Sequence, residues 1–317
     1  MNKIVFMFSG QGSQYYQMGR QLFDQEPVFQ YWLKILNKIY QDETGLSIIN
    51  ELYNPLHLKS DVFSNTLQTH PAIFMVGYAI AQTLLERGIE PSLVLGTSIG
   101  EIVAAVFSNV ISLEQGLKII AAHAKVLLEF NVQGGMLAIF ADSKIYDDEP
   151  ILNKNVQLAA RNFHSHFVVS GRSEGLKEVQ SFLEKKNILS QLLPVSHAFH
   201  SSEMDSAKLA FLDTIKGHAL PVNPIYPIVS PAYPGQRIVL SVDYFWDVTR
   251  FPIEFQHCIM LLESANSYHY IDVGPSGSLA TFVKYNLTKN SSSKVFVAMN
   301  PYGQDIECLS RVVTDLR

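Results

Sequence analysis

A Gly-x-Ser-x-Gly stands at Gly96-Thr97-Ser98-Ile99-Gly100, with Glu101 directly after it. An apolar run, Leu93-Val94-Leu95, precedes it, and an amphipathic run, Glu101-Ile102-Val103-Ala104-Ala105-Val106, follows. At a strand-to-helix junction this pattern is a nucleophile elbow, a tight turn that lifts a serine hydroxyl above the end of a sheet. The chemistry on offer is acyl transfer through a covalent serine ester.

Serine is a weak nucleophile until a base takes its proton, so a histidine must reach Ser98 in the folded chain. Of ten histidines, those in Val195-Ser196-His197-Ala198-Phe199-His200-Ser201 are best placed. They fall where a strand is predicted to leave a small domain and a helix to begin, a junction that walls a cleft. His200 and His197 are both candidate bases; the plain alternative is a pair of loop imidazoles bonded to backbone. The anionic intermediate also needs donors. The N–H of Ile99, next after the nucleophile, offers one. The loop Gly10-Gln11-Gly12-Ser13-Gln14 offers a second if its strand lies beside the elbow strand; otherwise it is a flexible turn. It lacks the Gly-Lys-Ser/Thr ending of a phosphate loop.

Three further groups carry weaker signals. His164 and His166 would share one face of a strand, as metal ligands sometimes do, but no third ligand is evident and no metal is expected. Glu101, in the first turn of the following helix, reads as support for the elbow and the helix dipole. Arg250 reads equally as a partner for a coenzyme phosphate or as half of a structural ion pair.

These residues need elements to hold them. A short buried strand is predicted at 3–8, helices at 27–41 and 70–87, a strand at 93–96, and helices at 99–107 and 113–130. Pro71 falls near the first turn of its predicted helix. Alternating strands and helices argue for a mainly parallel sheet with helical cover. After Gly134-Gly135 the pattern changes. Strands at 136–141, 156–161, 167–170 and 188–195, with helices at 144–153 and 173–186, give the β-α-β-β-α-β order of a ferredoxin-like unit. The expected fold is thus an α/β, hydrolase-like parallel-sheet core (1–131 and 197–317) with an inserted ferredoxin-like small domain (132–196). A helix at 203–216, strands near 225–230 and 268–273, and a helix from about 277 complete the core.

Composition narrows the rest. The chain has 317 residues, 47% hydrophobic and 17% charged, enough for one large domain or a large and a small one. A net charge of -5 gives no basic footprint for nucleic acid. No apolar run approaches the roughly 20 residues that span a bilayer. Two cysteines without paired spacing fit a reducing, cytoplasmic setting.

The ordered set of motifs resembles the malonyl-CoA:acyl-carrier-protein transacylase family, which includes polyketide synthase acyltransferase domains. The resemblance rests on the glycine loop 10–14, the elbow 96–101 and Ala198-Phe199-His200-Ser201. It extends to Thr69-x-Pro71-Ala72, Asn162 before Val168-Val169-Ser170-Gly171, Trp246 through Arg250-Phe251-Pro252-Ile253-Glu254-Phe255, and Asp272-Val273-Gly274-Pro275. It covers nearly the whole chain. It implies a Ser98–His200 dyad, oxyanion donors at the N–H groups of Gln11 and Ile99, and a backbone carbonyl, by position that of Val248, orienting the histidine. It implies no bound cofactor or metal; the substrate's thioester arm is the phosphopantetheine of an acyl carrier protein or coenzyme A.

Three departures fall near the pocket the resemblance implies, whose expected residues are Thr97, His70, His123, Asn162 and His197. Thr97 replaces a histidine, His70 a glutamine, and His123 the arginine that selects malonyl groups. An arginine grips a carboxylate through two parallel charge-assisted bonds. A histidine is mostly neutral at pH 7 and offers one donor. With the register shifted, Lys125 would supply the cation instead. The expected acyl group is therefore uncharged. The opening Phe6–Gly19 resembles acyl hydrolases of trans-acyltransferase polyketide clusters, close to the acyltransferase homologues of bacillaene-type clusters. The resemblance implies an editing hydrolase acting on acyl carrier proteins of a polyketide synthase. The alternatives are a malonyl or acyl transacylase and a non-catalytic scaffold homologue.

Overall fold

The strand β1 (Lys3–Phe8) is buried from Val5 to Phe8 on both faces, as the middle of a parallel sheet requires. The computed structural model describes residues 3–130, 133–216 and 224–317. The predicted domain boundary at 131–132 lies outside them.

After β1 come α1 (Arg20–Gln25), α2 (Pro27–Thr44), α3 (Ile48–Leu52), α4 (Thr66–Glu86), β2 (Leu93–Gly96), α5 (Ile99–Phe107) and α6 (Leu113–Glu129). Next are β3 (Gly135–Ile139), α7 (Lys144–Asp148), α8 (Pro150–Asn155), β4 (Gln157–Phe163), β5 (His166–Gly171), α9 (Ser173–Lys185) and β6 (Ser190–Leu192). A 3-10 turn at Ser202–Ala207 leads into α10 (Lys208–Thr214) and β7 (Ile228–Val229). The chain ends with α11 (Val242–Arg250), α12 (Phe255–Ala265), β8 (Tyr268–Asp272), α13 (Ser278–Asn286), β9 (Lys294–Val297) and α14 (Asp305–Leu316).

Two sheets result. The first runs β7-β2-β1-β8-β9 and all its pairings are parallel. Successive side chains of β1 leave opposite faces. Phe6 and Phe8 enter the core that includes α2, α4, α5 and α6, while Val5 and Met7 meet Phe255, Ile259 and Val283 of α12 and α13. The second sheet is antiparallel, in the order β4-β5-β3-β6. Its β3-(α7-α8)-β4-β5-α9-β6 connectivity is the ferredoxin-like order, and the expected α/β core with a small antiparallel unit is the observed fold.

Local chemistry moves two predicted boundaries. α4 begins at Thr66, four residues before the predicted start, because the Asn65 side chain accepts from the N–H of Leu67 and caps it. Pro71 therefore lies inside the helix rather than in its first turn. Its missing N–H leaves the Leu67 carbonyl open, and the buried Tyr40 hydroxyl donates to that oxygen at 2.7 Å. The predicted strand 188–195 contracts to Ser190–Leu192, an edge strand in register with β3 from Ile139 to Leu137. The helices α1, α3, α11, α12 and α14 and the strand β9 fall outside the predicted set.

The small sheet is fastened to the core. Ile253 donates to the Ala159 carbonyl, and Arg161 donates to that of Ile253. The Asn286 side chain of α13 donates to the Asn162 carbonyl at 2.7 Å, and Arg161 pairs with Glu254.

Candidate active site

β2 and β1 are adjacent and in parallel register, with Gly96 opposite Phe8. The loop after β1 therefore runs beside the elbow after β2. The approach is close enough that a Cβ on Gly10 would meet the Thr97 carbonyl and Ser98, and one on Gly100 would meet the Phe8 carbonyl. Glycine is required at both positions because backbone occupies the space. The turn leaves Ser98 at φ 53, ψ -124, a sparsely populated conformation for a residue with a side chain. Such a residue stores about 1–3 kcal/mol, held by the surrounding structure.

The imidazole of His200 meets that serine. His200 Nε2 stands 3.0 Å from Ser98 Oγ, although the two residues are 102 positions apart. On the other side of the ring, Nδ1 stands 2.6 Å from the carbonyl oxygen of Phe251. A carbonyl only accepts, so Nδ1 carries the proton and Nε2 has the lone pair facing the serine hydroxyl. His200 also donates its backbone N–H to the Thr249 carbonyl at 3.1 Å, so the end of α11 grips both its main chain and its ring. Burial lowers the His200 pKa to about 4; the Phe251 contact opposes this and the Arg250 charge adds to it. The ring is neutral at pH 7, the form that accepts a proton.

The orienting carbonyl is that of Phe251, which corrects the expectation of Val248. Val248 lies within α11, where carbonyls run along the helix axis. Phe251 is the residue that ends the helix, with an extended conformation (φ -79, ψ 154) that turns its carbonyl out of that direction.

A cavity of ≈ 190 Å³ opens beside Ser98 and His200. Gln11, Thr97 and Asn162 line it, as do the apolar residues Met136, Ala138, Ala160, Val168, Leu193, Phe199, Ile253, Leu279 and Phe282. Ile99 is the first residue of α5, so its N–H has no acceptor within the helix. The Gln11 side chain is held by Thr69, with its Nε2 3.1 Å from Oγ1. Asn162 Nδ2 stands 3.0 Å from His166 Nδ1, which fixes both side chains on the cavity wall.

The other three expected pocket residues are elsewhere. His70, His123 and His197 are buried but do not line the cavity. Phe199 covers them, its ring 5.7 Å from His70, 6.1 Å from His123 and 5.7 Å from His197. Burial and the neighbouring imidazoles hold both His70 and His123 well below the usual histidine range, His123 at about 3. Lys125, the alternative cation, is exposed and also absent from the lining.

The secondary candidates resolve individually. His164 sits at the exposed turn between β4 and β5 while His166 points inward, so the two share no face. Arg250 forms an ion pair with Asp205, Nε to Oδ1 at 2.5 Å and Nη2 to Oδ2 at 3.2 Å. Glu101 is fully buried and burial raises its pKa to about 8, so at neutral pH it brings no charge to the helix dipole.

The apolar wall was not anticipated. Its signal is the alternation Met136/Ala138 on β3, Ala160/Asn162 on β4 and His166/Val168 on β5. Every second residue faces the cleft. That pattern becomes readable only once this face of the small sheet is known to meet the elbow.

The model of the acyl transferase domain matches residues 5–312. The chain belongs to the acyl transferase domain family. Two curated members are each 39% identical to it over 309 residues, spanning 98% of this chain and 95% of their own length. They are the polyketide biosynthesis acyltransferase homologs BaeD of Bacillus velezensis and PksD of Bacillus subtilis. Among solved structures, the acyltransferase domain from the second module of the salinomycin polyketide synthase superposes with a TM-score of 0.87. It is 25% identical, covering 98% of this chain and 72% of its own. Among the described residues, no helix is long and apolar enough to cross a membrane.

Proposed function

We propose that this acyltransferase-family chain is a cytoplasmic enzyme of polyketide biosynthesis that removes uncharged acyl groups from acyl carrier proteins and releases them to water. The observation that carries the reading is the 3.0 Å approach of His200 Nε2 to Ser98 Oγ, with the ring tautomer set by Phe251. The names borne by BaeD and PksD support the pathway.

Ser98 Oγ attacks the thioester carbonyl carbon while His200 Nε2 takes its proton. The oxyanion rests between the N–H groups of Ile99 and Gln11; one such donor is worth about 3–4 kcal/mol of barrier. Collapse breaks the carbon–sulfur bond, and the phosphopantetheine thiol leaves with the proton from the imidazolium. A water then gives its proton to His200 and attacks the ester, releasing the free acid and restoring Ser98.

The preference for an uncharged acyl group is supported by the cavity wall, which has no Lys or Arg among the described residues lining it. A carboxylate placed there would be desolvated without a cationic partner, which costs several kcal/mol. His123 is neutral and covered by Phe199, so it supplies no clamp.

The test is to incubate the protein with acetyl-, butyryl- and malonyl-loaded carrier proteins while following free acid and the intact mass of the enzyme. Acetate and butyrate release with a transient Ser98 ester is the expected result. Transfer to a second carrier without free acid would make it a transacylase. Rapid malonyl loading without release would overturn the hydrolytic reading.

A further inference from the structure

Glu101 is three residues beyond Ser98 and takes no part in the steps above. It occupies the third position of α5, and its backbone N–H donates to the Ser98 carbonyl at 2.9 Å. Its side chain is 1% exposed. The Tyr244 hydroxyl, from the first turn of α11, donates to Glu101 Oε2 at 2.6 Å. The same helix ends in the Thr249 and Phe251 carbonyls that hold His200. A closed circuit results: Ser98, the start of α5, Glu101, Tyr244, α11, Phe251, His200, and back to Ser98.

We infer that Glu101 is a positioning residue: through Tyr244 it ties the helix that presents the nucleophile to the helix whose C-terminal end holds the base. This rests on the Ser98–His200 reading above. The groups that face Glu101 are Tyr244 from α11, the Ser230 hydroxyl, Ala232 N–H and Tyr233 of the segment after β7, and the Cys258 thiol of α12. None is a cation. The Tyr233 hydroxyl is engaged by Asp247 at 2.6 Å, and Cys258 Sγ by the Ser230 carbonyl at 3.6 Å. Against full burial a carboxylate formed there gains the Tyr244 hydrogen bond and the weaker pull of the nearby Ser230 hydroxyl and Ala232 N–H, while Oε1 has no hydrogen-bond partner, so the proton is retained until about pH 8. Above that, ionisation favours water entry between α5 and α11. A displacement of about 1 Å between reacting groups costs on the order of 100-fold in rate.

The sign of the stability effect follows from linkage. The unfolded chain releases this proton near the ordinary glutamate pKa, while the folded chain keeps it to about 8. Between those values the unfolded form binds fewer protons, so stability falls as pH rises, and the fall stops above the folded value. A glutamine at 101 is neutral throughout and accepts from Tyr244 in the same way.

The experiment measures single-turnover acylation of Ser98 by acetyl-loaded carrier, and thermal unfolding, from pH 5 to 9.5, in wild type, E101Q, E101A and Y244F. Wild-type acylation falls about tenfold or more above pH 8, while E101Q stays level. E101A and Y244F acylate about tenfold more slowly at pH 7 with an unchanged KM for the carrier. The melting temperature of wild type drops relative to E101Q between pH 5 and pH 8. Parallel profiles of wild type and E101Q in both measurements, with wild type active, overturn the role of Glu101. Failure of wild type to form an acyl-enzyme at any pH overturns the catalytic reading instead, and the melting comparison still reports whether Glu101 titrates as described. Should E101A not fold, E101Q and Y244F decide the question.

Discussion

The Phe251 carbonyl lies 2.6 Å from Nδ1 of His200 and determines which ring nitrogen can accept a proton. No carboxylate occupies that place, so the imidazolium formed during reaction is stabilised by a neutral dipole. An anionic partner raises a histidine's pKa; a carbonyl does so weakly, and burial prevails at about 4.

The acid limb of the acylation rate follows from that value. Below about pH 4 the ring is protonated and cannot accept from Ser98; above it the base form is present. The expected log(kcat/KM) profile is level from about pH 6 to pH 7.5, and on the acid side it falls toward pH 4. Steady-state rates across a buffer series check it, and an acid limb centred at the ordinary histidine value near 6.5 would contradict it.

Replacing Ser98 by alanine removes the attacking oxygen and leaves the rest of the site in place. Acyl-enzyme should vanish from the intact-mass spectrum, and turnover should drop by about 10⁴-fold or more. The substituted alanine keeps a Cβ at the elbow's positive φ, as serine does, so the melting temperature should change little.

Phe199 separates the cavity from three buried imidazoles. Phe199→Ala should destabilise the fold by about 3–5 kcal/mol through the void it leaves. It should also let longer acyl chains reach the space beneath. Urea unfolding reads the first effect, and relative kcat/KM over an acyl-length series reads the second. An unchanged length preference would mean the space behind Phe199 closes over.

Tyr40 satisfies the carbonyl that Pro71 leaves open. Tyr40→Phe keeps the ring and takes the donor from that half-buried oxygen, at a cost of about 1 kcal/mol. Denaturant titration checks this; Tyr40 does not line the cavity, so the acylation rate should hold.

Much of this protein was written locally. The strand Lys3–Phe8, the elbow glycines and the β-α-β-β-α-β order each follow from short-range pattern, because sheet burial, turn sterics and strand alternation act over a few residues. The candidate nucleophile could be named for the same reason, and His200 was reachable among ten histidines through its place at a predicted domain junction. What local pattern does not encode is direction across the fold. The carbonyl of Phe251 rather than Val248 faces the imidazole because α11 ends at Arg250 and the next residue turns outward. His70 and His123 sit behind an aromatic ring rather than in the cavity because helices α4 and α6 pack those faces inward. Glu101 loses its charge because the segment after β7 and helices α11 and α12 close over it. Hydrophobic burial and turn geometry are short-range and legible in the chain. Dielectric surroundings, ring orientation and the pairing of groups 102 positions apart are properties of the assembled core.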